Sequence, residues 1–208
     1  MIKRAKWLLV IALMASCNND NTPKTDAGKT STAHAGHMAA TGINYCDSVN
    51  NGLIAEDTMK GSPHRTAMNA VSGNHVHIEY NSPGVKGRTI WGGLVPYGKV
   101  WATGAHQATS VQFSKDVEVN GKKIPAGKYA FFTIPGQEKW IVILNKRYDQ
   151  HLADDYSEGE DVLRVEVLPE KHAMTQRLTY TVDKGTGNSG AIGMHWELLG
   201  IRVPFKVL

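Results

Sequence analysis

Residues 75–80 read HVHIEY, and the alternation of polar and apolar residues in this stretch decides the fold. Successive side chains of a β-strand point to opposite faces of the sheet, so every second residue shares a face. The three apolar side chains of the stretch therefore face a core together. The three remaining side chains face away from that core, and they are His75, His77 and Glu79.

The same period of two recurs along much of the chain, while helical periodicity is almost absent. Asn120-Gly121 interrupts one run, and this dipeptide favours the two-residue turn of a β-hairpin. The alternating runs cover 110–113, 117–124, 129–134, 140–144, 163–167, 178–182, 192–198 and 201–207. The pattern predicts an all-β domain over residues 62–208, either an antiparallel β-sandwich or a jelly-roll-like barrel of about nine strands.

The chain begins with MIKRAKWLLVIALMAS, residues 1–16, which has the pattern of a secretory signal peptide. A basic start precedes an apolar run that is shorter than the roughly 20 residues of a membrane-spanning helix. Cys17 follows, and residues 13–17 resemble the lipobox of bacterial lipoproteins. We therefore expect an exported chain that is lipidated at Cys17 and anchored to a membrane, in the periplasm or cell envelope. With Cys17 lipidated, Cys46 is unpaired and is either buried or a soft metal ligand.

The basic charge of the chain is concentrated in this signal. The formal net charge is +4 and the isoelectric point is about 9.0. Three of the positive charges are Lys3, Arg4 and Lys6, so the remainder of the chain carries +1. Its lysines and arginines are spread out, without the basic stripe typical of nucleic-acid binding. We expect no nucleic-acid partner.

Two segments separate the signal from the β domain. Residues 17–41 are rich in Asn, Thr, Ala and Gly, which predicts a flexible tether. The tether contains His34, His37 and Met38, whose imidazole and thioether groups bind soft or borderline cations. A polar linker that happens to contain histidine is the alternative. Residues 42–61 predict an extended arm.

His75 and His77 are the leading candidates for metal ligands. Two residues on one face of a strand are about 6.6 Å apart, so both imidazoles can reach one ion at about 2.0–2.1 Å. Imidazole-rich sites suit copper or zinc, and we expect one of these ions. His64 and His172 are expected to be plain surface histidines, the latter in a polar turn. The further candidate ligands are His106, His151, His195 and Glu79.

Common catalytic motifs are absent from the sequence. It contains no G-x-S-x-G elbow, no H-E-x-x-H and no Gly-rich phosphate loop. The His-x-His pair invites comparison with cupins, but Pro125-x-Gly127 lacks the histidine that follows in that motif. Aromatic side chains can form a carbohydrate platform or pack in a core. The candidates for either role are Trp91, Tyr97, Trp101 and Trp140.

Longer stretches of the β domain resemble a known family. Residues 78–88 read IEYNSPGVKGR and residues 90–97 read IWGGLVPY. Residues 125–129, PAGKY, and 132–135, FTIP, continue the match. Together these motifs resemble the domain of unknown function 2911 family over residues 62–208. The resemblance implies a secreted β domain and leaves its activity open.

Three positions depart from the pattern of that family. This chain has Ala102 and His106 where the family commonly has Arg and Asn, and His151 where a Trp-Gly pattern is frequent. The departures add histidines to loops that we expect to surround His75 and His77. They indicate a histidine-rich variant of the family.

Three functions follow from these residues. The first is an envelope lipoprotein that binds copper or zinc through its histidines. The second is a metal-dependent enzyme, a hydrolase or oxidoreductase, that uses the same ligands with an open coordination position. The third is a non-catalytic sandwich that binds polysaccharide or protein, in which the histidines do not converge. We take the first as the working hypothesis.

Overall fold

The computed structural model of the chain describes residues 44–208. The predicted signal peptide, the lipidation site Cys17 and the predicted tether lie outside these residues. The regular structure of the described part is almost entirely strand. Among residues 44–208, no helix is long and apolar enough to cross a membrane.

Ten strands carry the described fold. They are β1 His64–Val71, β2 Asn74–Asn81, β3 Ser110–Phe113, β4 Val117–Val119, β5 Lys122–Ile124, β6 Gly127–Ile134, β7 Trp140–Asn145, β8 Asp161–Val167, β9 Glu170–Lys184 and β10 Ser189–Val207. One short helix, α1, covers Tyr45–Asn50, and a 3₁₀ turn covers Glu158–Glu160.

These strands form two antiparallel sheets. The larger sheet has six strands in the order β1-β2-β3-β6-β7-β8, and the smaller has four in the order β5-β4-β10-β9. Every pair of neighbouring strands in the two sheets runs antiparallel. Both sheets are open, so the domain is a sandwich and not the closed barrel that the sequence left as the alternative. The predicted all-β antiparallel fold is confirmed.

The core is built from the inward side chains of both sheets. On β2, Val76 and Ile78 are fully buried and Tyr80 is 2% exposed, as the alternation predicts. The smaller sheet contributes Met194 and Phe205, among others. Full burial of one such aliphatic or aromatic side chain contributes about 1.5–3 kcal/mol. This contribution fixes which face of β2 points outward.

Strand β10 is 19 residues long and folds back on itself. The amide of Val207, at its end, donates to the carbonyl of Asn188, just before its start, at 2.9 Å. Glu197 lies near the reversal and has the left-handed backbone conformation, with φ of 57°, that sharp turns use. The sequence presents the two arms as separate alternating runs. The reversal places His195 close to the bend.

Two segments form strands that the alternation does not reveal. The more buried face of β1 carries Arg65, Ala67 and Asn69, which are small or polar, so the strand lacks an apolar period of two. Strand β9 begins at Glu170. His172 therefore lies on a strand and not in the predicted polar turn.

The segment predicted as an extended arm is not extended throughout, because it contains helix α1. Asn44 caps this helix, because its side-chain oxygen accepts a hydrogen bond from the amide of Asp47 at 3.2 Å. The helix packs on β9 and buries Cys46 and Val49. Of the two environments considered for Cys46, the structure has the buried one.

Arg177 of β9 fixes the remainder of this segment. Its side chain is fully buried. Its guanidinium pairs with Asp57, with Nε 2.7 Å from Oδ2, and donates to the carbonyls of Met59 and Gly61 at 2.7 and 2.9 Å. Residues 44–63 are therefore part of the folded domain.

Candidate functional site

The outward face of β2 carries the polar side chains that the alternation assigns to it. His75 is exposed, while His77 and Glu79 are half-buried. They lie on the outer surface of the larger sheet, because the intervening apolar residues fill the core. This surface is the first candidate site.

Strand β1 adds a sulfur atom to this surface. β1 and β2 form a hairpin in which Met68 lies directly opposite His77. Directly opposed side chains share a face and have Cβ atoms about 4.5–5.5 Å apart, and diagonal pairs such as Met68 and His75 are about 7–8 Å apart. Met68 is 64% exposed, so an ion can reach its thioether from solvent. We call Met68, His75 and His77 the hairpin face.

Glu79 borders the hairpin face and is paired with a lysine. Lys128 Nζ lies 2.5 Å from its Oε2, and Ser110 Oγ lies 3.4 Å from the same oxygen. The hydrogen bond from Lys128 holds the pKa of Glu79 below its usual value despite partial burial, so the carboxylate is ionised at neutral pH. The other oxygen, Oε1, is 3.5 Å from Nε2 of His77. Glu79 can therefore orient the His77 ring, as carboxylates commonly do for metal-binding histidines.

His106 and His151 lie on two loops that are joined through their backbones. Gln107 forms an antiparallel bridge with His151, and the amide of Leu152 donates to the carbonyl of His106 at 2.8 Å. Both imidazoles are exposed. Asp154 Oδ2 is 2.8 Å from Nδ1 of His151, so this carboxylate fixes the ring and leaves Nε2 facing other partners.

These loops approach β2 at the Glu79 end. A cavity of about 250 Å³ there is lined by Glu79, Lys128 and the loop residues Gln107 and Asp149, among others. His75 lies four residues earlier on the strand, roughly 13 Å away along its axis. The loops that carry His106 and His151 therefore border the far end of the predicted ligand strand.

His195 lies on the other sheet. It points away from the core on β10, and its neighbour is His172 of β9, with the two ring centroids 5.1 Å apart. Sheets in a sandwich pack about 10 Å apart, so one ion cannot bridge their outer surfaces. The five predicted histidine ligands thus lie in three separate places. His75 and His77 lie on the hairpin face, His106 and His151 on the two joined loops, and His195 on the smaller sheet. Within residues 44–208, no group of three or more His, Cys, Asp or Glu side chains is arranged to hold a metal ion.

Sequence reasoning missed Met68 and His172. A signal for Met68 was present in Ser72-Gly73, a dipeptide typical of turns, whose φ values of 47° and 73° form the hairpin turn. Counting outward from this turn pairs Met68 with His77. We find no local signal for His172, because its contact with His195 depends on how β9 and the bent β10 meet.

The four tryptophans of the described chain pack in the core and do not form an exposed row. Trp140 and Trp196 are almost fully buried, and Trp91 and Trp101 are half-buried. The ring centroids of neighbouring tryptophans lie 4.7–5.9 Å apart. Trp91 Nε1 also donates to Glu197 at 3.2 Å. Their geometry is that of structural packing and not of a carbohydrate platform.

These observations define an antiparallel β-sandwich with histidines grouped on the outer surfaces of its sheets and on its loops. The family model of a protein of unknown function, DUF2911, matches residues 62–205. This match covers more than half of the chain and includes strands of both sheets, so the protein belongs to the DUF2911 family. No curated protein and no solved structure matches the chain.

Proposed function

We propose that this protein binds a copper ion on the hairpin face, through the imidazoles of His75 and His77 and the thioether of Met68. The observation that carries the proposal is the strand register, in which Met68 lies opposite His77. His75 lies about 6.6 Å from His77 on the same face. An ion above the centre of this triangle is within reach of all three side chains, since metal–ligand bonds are about 2.0–2.3 Å long.

The ligand types favour copper over zinc. A thioether is a soft ligand that selects Cu(I), whereas imidazoles accept both copper and zinc. When the ion is Cu(II), the imidazoles still favour copper, because affinity rises to Cu(II) and falls again at Zn(II). The negative charge of Glu79 beside the site is already balanced by the positive charge of Lys128, which suits a site for a soft cation of low charge.

The exposure of the hairpin face favours a role in capture and transfer of the ion. Three ligands on an open strand surface leave a coordination position for a ligand of a donor or acceptor molecule. In this proposal the chain is exported, anchored through Cys17 in the cell envelope, and assisted by the tether residues His34, His37 and Met38, which have the same ligand types.

The test is the Cu(I) affinity of the full chain, measured by competition with the chelator bicinchoninate. All proteins share a background that removes the ligands of the tether: Cys17→Ser, His34→Asn, His37→Asn and Met38→Leu. Met68→Leu keeps an apolar side chain of similar size and removes the sulfur. We expect it to weaken Cu(I) binding at least tenfold, about 1.4 kcal/mol, and to leave Zn(II) binding unchanged.

Met174→Leu is the matched control, because Met174 is also exposed, at 42%, but lies on β9 of the other sheet. It should bind Cu(I) like the parent. The double variant His75→Asn/His77→Asn should lose Cu(I) binding at the hairpin face. Equal Cu(I) affinity in the parent, Met68→Leu and the double histidine variant would contradict the proposal.

A further inference from the structure

A second cluster of chemically active side chains lies on the smaller sheet, where β9 meets the bend of β10. It surrounds a cavity of about 220 Å³. Two carboxylates, two histidines and two glycines are among the residues that line this cavity: Glu170, Asp183, His172, His195, Gly193 and Gly200. The copper proposal uses none of them.

His172 has one ring nitrogen occupied and the other free. Nδ1 lies 2.5 Å from the carbonyl oxygen of Ala173 and can only donate to it. This hydrogen bond assigns the proton of the neutral ring to Nδ1 and leaves a lone pair on Nε2. Nε2 is buried and has no hydrogen-bond partner. A histidine whose Nδ1–H is held by a backbone carbonyl is in the form that binds metal through Nε2.

His195 faces the same space as this free nitrogen. A point above Gly200, where a Cβ would stand, lies 2.8 Å from Nδ1 of His195 and 3.1 Å from Cδ2 of His172, the carbon bonded to Nε2. A side chain at position 200 would clash with His195 and with the carbonyl oxygen of Met194, 2.9 Å away, so the close approach of the two rings requires glycine there. Gly193 allows the same close packing on the other side of His195, because its Cβ would stand 3.0 Å from Nε2 of His195 and 2.5 Å from Oγ1 of Thr181.

The separation of the rings fits two ligands of one tetrahedral ion. With metal–nitrogen bonds of about 2.0–2.1 Å and a ring centroid about 1.1 Å behind each nitrogen, tetrahedral geometry puts the centroids about 5 Å apart. The observed separation of His172 and His195 is 5.1 Å. We propose that these two imidazoles bind one Zn²⁺ ion, through Nε2 of His172 and Nδ1 of His195, with water completing the coordination.

The surroundings of the rings support a cation of this class. The carboxylates of Glu170 and Asp183 face the cavity and attract a cation, although Lys171 and Arg202 at its wall oppose them in part. The ligand set contains nitrogen and no sulfur, which suits borderline Zn²⁺ better than Cu(I), and the tetrahedral spacing suits Zn²⁺ better than Cu(II), which prefers square-planar sites.

The experiment is a Zn²⁺ titration of the full chain by calorimetry, in the background without tether ligands that also carries His75→Asn and His77→Asn. This background removes the copper site, so the outcome is independent of the copper proposal. We expect about one equivalent of Zn²⁺ and a loss of affinity of at least tenfold in His172→Gln. His106→Gln is the control, because His106 lies on an exposed loop, and it should bind like the background protein.

A second measurement guards against a variant that fails to fold. In the folded background protein, the imidazole proton and nitrogen signals of His172 and His195 should shift together during the Zn²⁺ titration in NMR spectra. Stationary signals from both rings at saturating Zn²⁺ would overturn the proposal. So would binding that His106→Gln abolishes and His172→Gln leaves intact.

Discussion

The buried pair of Arg177 and Asp57 provides a direct test of how residues 44–63 are held in the domain. Asp57→Asn removes the negative charge and leaves the guanidinium buried. Breaking a buried ion pair by removing one partner costs about 3–5 kcal/mol. The side chain of Asp57 is 7% exposed, and Arg177 keeps the carbonyls of Met59 and Gly61 as acceptors. We therefore expect the lower end of this range, about 3 kcal/mol.

This loss is large enough to measure by thermal unfolding followed by circular dichroism. For a domain of about 150–250 residues, each kcal/mol shifts the Tm by about 2–4 °C, so Asp57→Asn should lower it by roughly 6–12 °C. The control is Glu166→Gln, which removes an ion pair with Lys139 whose side chains are 61% and 59% exposed. A pair so exposed contributes about 0–1 kcal/mol. Equal Tm values for the two variants would refute the reasoning that Arg177 needs its partner.

Three further predictions concern pH, backbone conformation and metal. Burial raises the pKa of Asp57, but the hydrogen bond and charge of Arg177 lower it more, to below the usual 3.8. The stabilisation that the ionised Asp57 carboxylate contributes is therefore complete above roughly pH 5 and is lost as the pH falls through the folded pKa. Urea unfolding between about pH 5 and pH 2 should show this loss in the parent and a smaller one in Asp57→Asn. Gly73→Ala forces a side chain onto a φ of 73° in the hairpin turn and should cost about 1–2 kcal/mol in urea unfolding, whereas no change would show that the turn adapts. In the background that lacks the tether ligands, His75 and His77, Zn²⁺ at a hundred times its dissociation constant should stabilise the protein by about 2.7 kcal/mol, reversibly with EDTA. A similar gain in His172→Gln would place the ion elsewhere.

The sequence predicts those parts of the fold in which the residues of a single strand determine which of its two faces is buried. In β2 the burial of Val76 and Ile78 requires only that alternate side chains be apolar, and that pattern is local. In β1 the more buried positions include Arg65, which is satisfied by Asp47 of helix α1 at 2.6 Å. A strand whose inward residue is paired with a distant segment has no apolar period of two to detect.

The candidate sites follow the same physical division. His75 and His77 share a face because they are two residues apart on one strand, which the sequence alone predicts. Met68 joins them through the register of a hairpin, which becomes predictable only when the turn is located. His172 meets His195 because β10 reverses near Glu197, and that contact depends on tertiary structure.

Both proposed metal sites lie on outward surfaces, and this position determines what the ions contribute. The core between the sheets is apolar, and the buried pair of Arg177 and Asp57 fixes residues 44–63 without a metal. In domains that unfold without their ion, such as zinc fingers, the metal replaces a core that is too small to stabilise the fold. Here the core is complete, so binding and release of copper or zinc need not unfold the domain. Ligands on a preformed scaffold can exchange ions with a partner, and the open hairpin face should do so faster than the cavity at His172 and His195.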